Sequence, residues 1–197
     1  MENVMKNDIR IVEEPRKPLA MHPKKFAMWL FLASVLMLFA AFTSAYIVRQ
    51  AEGDWVIFDL PDMFTFTTVA ILASSIPVQW AYFAARKNQQ NLVVALLGIG
   101  TVLGILFLAG QWQGWGQLVD NHIHLVGNPS GSFFYLITGL HGLHIISAVI
   151  YLIITLVRAH RGIIHSGNLA PLEMCVTYWH FLGGLWLYLF VFLLLNR

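Results

Sequence analysis

The chain has 197 residues, of which 58% are hydrophobic, 14% aromatic and only 11% charged. A water-soluble domain carries about a quarter charged residues, so this composition excludes a soluble globular protein and points to an integral membrane protein. The net charge of +2 says little as a total, and a single cysteine, Cys175, excludes a disulfide framework within the chain.

Residues 1–24 are polar, with mixed charges and Pro15, Pro18 and Pro23. That stretch has too little apolar surface to fold alone, which predicts a flexible cytoplasmic tail. A cleaved signal peptide is not expected, because the charged region is too long and the apolar run behind it is of span length. Five runs then reach the roughly 20 residues that a bilayer crossing takes. They cover about 26–48, 63–85, 92–112, 133–157 and 174–195. The sequence therefore predicts an all-α polytopic protein, with one five-helix transmembrane domain over residues 25–197.

The basic residues set a direction. Lys6, Arg10, Arg16, Lys17, Lys24 and Lys25 precede the first run, Arg86 and Lys87 follow the second, and Arg158 and Arg161 follow the fourth. Only Arg49 and Arg197 fall on the other side. Because lysine and arginine favour cytoplasmic loops, the N-terminus is expected inside and the C-terminus outside. The 51–62 connection, with Glu52, Asp54, Asp59 and Asp62, and the 113–130 connection are then external.

At about 100° per residue, the last run divides into two faces. Glu173, Thr177, His180, Gly184 and Tyr188 share one arc, opposite Cys175, Trp179, Leu182, Trp186, Leu189 and Leu193. In the fourth run His141, His144, Ser147, Tyr151 and Thr155 face away from Leu143, Ile146, Ile150, Ile153 and Val157. Polar stripes in apolar spans are expected to turn toward each other or toward a partner. Ala33, Ala40, Ala41 and Ser44 on the first run, and Gly100, Gly104 and Gln111 on the third, read as small faces for packing within the bundle. Pro77, just after Ser74 and Ser75, predicts a kink.

Eight histidines invite a haem or metal reading. Counted along the runs, His144 lies about 20 Å from the inner end of its span and His180 about 10 Å from the start of its own. Ligands must converge at about 2 Å from one ion, so interhelical hydrogen bonding is the favoured reading. His141 and His144 could hold one edge of a site, but no carboxylate or thiolate at matching depth completes it. His22, His160 and His165 fall at or beyond the inner boundary, and His122 and His124 in an external connection. Trp55, Trp112 and Trp115 are expected interface anchors. A membrane hydrolase lacks a histidine placed to activate Ser130 or Ser132. A transporter lacks an internal repeat. Nothing suggests a nucleic-acid surface.

One set of residues is more specific. Gly131-Ser132 and Phe134 are followed by Thr138-Gly139-x-His141-Gly142-x-His144, and Arg158 closes that span. The last run adds Glu173-x-x-x-x-Tyr178-Trp179-His180-Phe181, then Trp186 and Phe190. Met28-Trp29-Leu30-Phe31-x-x-Ser34, Ser74-Ser75 with Val78-x-Trp80-Ala81, and Gln111 agree more loosely. Over about residues 24–195 the chain resembles subunit III of the haem-copper terminal oxidases (cytochrome c oxidase and its quinol-oxidase relatives).

The resemblance implies a short five-helix form of the fold; longer members have two further N-terminal helices and enclose a lipid-filled cleft. It implies a non-redox subunit, with no catalytic residues, cofactor or metal of its own, in a proton-pumping oxidase of aerobic respiration in a bacterial plasma membrane. Haem and copper belong to the partner catalytic subunit I. This chain is expected to stabilise subunit I, to share the complex with subunit II and, where the oxidase has one, subunit IV, to bind phospholipid, and at most to support proton uptake. His141, His144, Glu173, Tyr178 and His180 are expected to form a polar network between the last two helices. Arg158, Arg86 and Lys87 are candidates for lipid headgroups. The alternatives are an accessory subunit of a quinol oxidase or nitric oxide reductase, or a small membrane transporter.

Three positions depart from the family pattern. Val35 follows Ser34 where the family often has glutamate, Gly114 replaces a glutamate after Gln111, and Gly183 replaces an aspartate after the Tyr-Trp-His-Phe motif. Loss of the intramembrane carboxylate argues against a direct proton-carrying role. Dicyclohexylcarbodiimide is accordingly expected to leave residues 26–48 unlabelled; peptide mapping that finds the adduct there refutes this.

Overall fold

The computed structural model describes residues 23–196. Residues 1–22 of the expected tail, with Lys6, Arg10, Arg16, Lys17 and His22, lie outside them, as does Arg197, while Pro23 and Lys24 already belong to the first helix. Among the described residues there are five α-helices and no strand: α1 (Pro23–Gln50), α2 (Asp62–Arg86), α3 (Gln90–Asp120), α4 (Pro129–His160) and α5 (Ala170–Leu195). Each is long and apolar enough to cross a membrane.

The helices outrun the apolar segments at most of their ends, because polar residues continue the backbone ladder past the hydrocarbon limit. Where α4 begins, the Asn128 side chain accepts from Ser130 N at 2.9 Å and Pro129 occupies the first turn. Pro171 and Glu173 do the same service in the first turn of α5, one by fixing φ and the other by meeting the positive end of the helix dipole. Pro77 does not interrupt α2, which remains one helix from Asp62 to Arg86.

Helices α2, α3, α4 and α5 pack in a ring, each against the next, and α5 closes back on α2. Helix α1 lies outside that ring, against α4 and α5 alone among the described residues. It runs parallel to α5 and is fastened at both ends. At one end Lys25 Nζ donates to Glu173 Oε2 at 2.6 Å; at the other, Tyr46 Oη and Gln50 Nε2 donate to the Asn196 carbonyl at 3.0 and 2.9 Å. The first end also carries Arg86, Lys87, Arg158 and Arg161, where Asn88 in the α2–α3 turn exchanges two hydrogen bonds with Ser166. At the opposite end Arg49 makes a two-pronged contact with Asp54, 2.8 Å on each prong. That hydrogen bonding holds the Asp54 carboxyl below the ordinary carboxylate range.

Close approach inside the ring depends on glycine. A Cβ at Gly100 would strike Val78 across α2, and one at Gly104 would strike Trp179 and Val149, as the small-face reading of α3 anticipates. The same expectation for α1 is overturned. Its buried residues are Leu32, Val35, Phe39, Thr43 and Tyr46, while Ala33, Ala40, Ala41 and Ser44 are all exposed. Side chains of larger volume fill the wide seam between α4 and α5, and the small face of α1 is left turned outward.

Candidate functional site

The five residues expected to form one network between α4 and α5 are distributed otherwise. Tyr178 alone joins those two helices, its hydroxyl 2.7 Å from Ser147 Oγ and 3.4 Å from the His144 carbonyl. The Nδ1 of His144 contacts the Leu140 carbonyl of its own helix at 2.7 Å. Glu173 is taken by Lys25 of α1. His180 Nε2 donates to Gln79 Oε1 of α2 at 2.9 Å. The single network is thus replaced by separate ties from α5 to α1, α2 and α4. The physical reason is position in the bundle: α5 touches all three helices, so successive residues of one polar arc meet different neighbours.

His141 takes part in none of these ties. It is fully buried, and neither ring nitrogen has a hydrogen-bond partner among the described residues. Its ring stacks on Trp186 with centroids 5.1 Å apart, while Phe39 and Phe107 approach edge-on at 6.1 and 6.3 Å. An imidazole enclosed this way is a packing element of the aromatic core.

The two histidine-bearing helices also stand in a different register from that expected. Tyr178 meets Ser147, and Tyr151 Oη donates to the Pro171 carbonyl at 3.1 Å. These contacts bring the level of His180 close to that of Ile145, because the 161–169 connection offsets the two helices. Direction, not depth, keeps the histidines apart: His180 turns to α2, His144 to its own backbone and His141 to Trp186. Among the described residues no three His, Cys, Asp or Glu side chains group as metal ligands.

Tryptophan carries further polar ties between helices, two of them buried and that of Trp115 half-buried. Trp179 Nε1 donates to Ser74 Oγ at 3.0 Å, Trp186 Nε1 to Thr68 Oγ1 at 2.9 Å, and Trp115 Nε1 to Thr138 Oγ1 at 3.2 Å. Gln111 Nε2 adds a donation to Thr67 Oγ1 at 2.8 Å. A buried indole N–H seeks an acceptor, and the only cue in the sequence is the presence of Ser and Thr in otherwise apolar spans. None of the three departures lies against an acidic or basic side chain among the described neighbours that a Cβ or the buried side chain meets. Val35 is buried, Gly183 lies against Ser75, and a Cβ at Gly114 would come within 2.7 Å of the Phe64 ring. Arg158, Arg86 and Lys87 are exposed at the same end of the bundle.

Sequence comparison agrees with the motifs. The family described as cytochrome c oxidase subunit III matches residues 16–196. A probable cytochrome c oxidase subunit 3 of Rickettsia bellii is 32% identical over 192 residues, covering 87% of this chain and 68% of that one. A probable quinol oxidase subunit 3 of Staphylococcus saprophyticus is 26% identical, covering 84% and 85%. A probable cytochrome c oxidase subunit 3 of Nocardia farcinica is 30% identical, covering 82% of each. With the match spanning all five helices, the chain belongs to the cytochrome c oxidase subunit III family, the non-catalytic third subunit of haem-copper oxidases.

Proposed function

We propose that the chain is the scaffold subunit of a proton-pumping terminal oxidase in a bacterial plasma membrane. It packs on subunit I, which holds the haem and copper, in a complex that also contains subunit II and, where the oxidase has one, subunit IV. Its basic end faces the cytoplasm, where Arg158, Arg86 and Lys87 meet phospholipid headgroups. The observation that carries the reading is what the motif residues do. Glu173, Tyr178, Trp179 and His180 each tie α5 to another helix, so the signature of the family is spent on holding a bundle together. Any support of proton uptake is indirect, since Val35, Gly114 and Gly183 bring no carboxylate to the spans. The Staphylococcus relative favours quinol as an alternative donor, a choice made on other subunits.

The test is His180→Ala in the assembled oxidase. Losing its tie to Gln79 is expected to shorten retention of this subunit, or the turnover lifetime, by about threefold, the worth of a typical hydrogen bond between helices in lipid. Haem per catalytic subunit stays unchanged. A Soret band carried by the purified chain alone overturns the reading.

A further inference from the structure

We propose that the groove along α5, beside α1, seats a transmembrane helix of a neighbouring subunit that carries a hydroxyl or amide side chain to the level of His180 and Gln79. The inference rests on the scaffold reading, since it requires a complex to supply the helix.

Shape comes first. A depression of about 430 Å³ is lined by Leu36, Ala40, His180, Gly184 and Tyr188 among others. It shares Gly184 and Tyr188 with a second, of about 480 Å³, that continues to Asn196. From His180 to Asn196 the groove follows α5 for about 24 Å, most of the hydrocarbon thickness of about 30 Å. Its floor is open at Gly184, where a Cβ would meet nothing within 4 Å. Beside it runs the outward small face of α1, with Ala33, Ala40 and Ser44 exposed. In lipid, small residues mark where a second backbone can approach.

Polarity then selects the occupant. His180 Nε2 and Gln79 Oε1 bond to each other, which leaves the Gln79 amide N–H groups and His180 Nδ1 without a partner among the described residues. They sit about 10 Å inside the apolar run that begins near Met174, below the ester region of the bilayer. Ester carbonyls and headgroups of phospholipid do not reach that depth, and acyl chains offer no acceptor, so lipid would leave these groups unsatisfied. A serine, threonine, asparagine or glutamine on a passing helix can accept from the amide and donate to Nδ1 at once.

The experiment places a photoreactive benzoylphenylalanine at Leu187, exposed on the groove, or at Leu36 on the opposite wall, in the full chain within native membranes. After irradiation the adduct is mapped by mass spectrometry. The expected product links to a transmembrane segment of another oxidase subunit, with a hydroxyl or amide side chain within one turn of the linked residue. Its yield falls about threefold with Gln79→Leu, as for one interhelical hydrogen bond, and is lost with Gly184→Phe, which fills open space rather than the core. Adducts with lipid or quinone alone, with a second copy of this chain, or with a segment lacking such a side chain overturn the proposal. If the unsubstituted chain co-purifies with a haem-bearing subunit while the adducts are lipid only, the groove assignment fails and the scaffold reading stands. If no haem-bearing polypeptide accompanies it, the scaffold reading fails.

Discussion

Trp186→Ala is expected to destabilise the bundle by about 3 kcal/mol, the low end of the range for emptying a large aromatic site. The ring is 1% exposed. It stacks on His141, meets Phe107 edge-on at 5.2 Å and lies 6.4 Å from Phe64, so one truncation removes contacts to α2, α3 and α4 together. The usual transfer term is small, because lipid is as apolar as the core. What remains is lost dispersion and an unfilled cavity. The cost does not come from an orphaned hydroxyl, since Thr68 Oγ1 still donates to the Phe64 carbonyl at 2.6 Å. Trp186→Phe keeps part of the stack and should retain more than half of the lost stability. Thermal melts in mild detergent, followed by circular dichroism, measure both. A melt of Trp186→Ala that overlays the native one shows that the aromatic cluster does not hold the ring of helices together.

Gly104→Val has a comparable effect by the opposite route. A Cβ there lies 2.6 Å from Trp179 Cη2 and 3.1 Å from Val149 Cγ2. Trp179 cannot swing aside without breaking its bond to Ser74, so α3 must separate from α4 and α5. Overpacking costs about 1–3 kcal/mol where side chains can adjust; here the rigid indole puts the change at the upper end. Gly98 provides the contrast, since a Cβ at that position meets nothing within 4 Å. Gly98→Ala is expected to be neutral or to stabilise by up to about 1 kcal/mol through helix propensity. Melts of the two variants side by side decide the matter: equal losses would mean that helix propensity, not contact with Trp179, sets the response at Gly104.

The five spans were legible because each is an apolar run of bilayer length, and that property belongs to the segment alone. What depends on neighbours was not. The stripe from Glu173 to Tyr188 was visible on a helical wheel, but which helix receives each residue follows from α5 touching α1, α2 and α4. The Trp179–Ser74 and Trp186–Thr68 pairs lie 105 and 118 residues apart, and nothing in the sequence couples them. Depth failed for a related reason. The ends of the apolar runs give depth within one span, whereas the register of α4 on α5 is set by the 161–169 connection. On α1 the small face was readable, and its direction was not, because composition cannot say whether a face made for close approach meets this chain or another.

That α1 rests on α4 and α5 alone also bears on how the protein is made. The helix leaves the ribosome first among the described elements, yet its seam with α4 and α5 does not exist until Ala170–Leu195 has entered the membrane. Its two fastenings reach from Lys25 to Glu173 and from Tyr46 to Asn196, 148 and 150 residues along the chain. The rings that enclose Phe39 from outside α1, His141 and His144, belong to α4, so its burial too waits on a late helix. Helix α1 is therefore expected to acquire its native partners among the described residues only after α4 and α5 have entered the membrane.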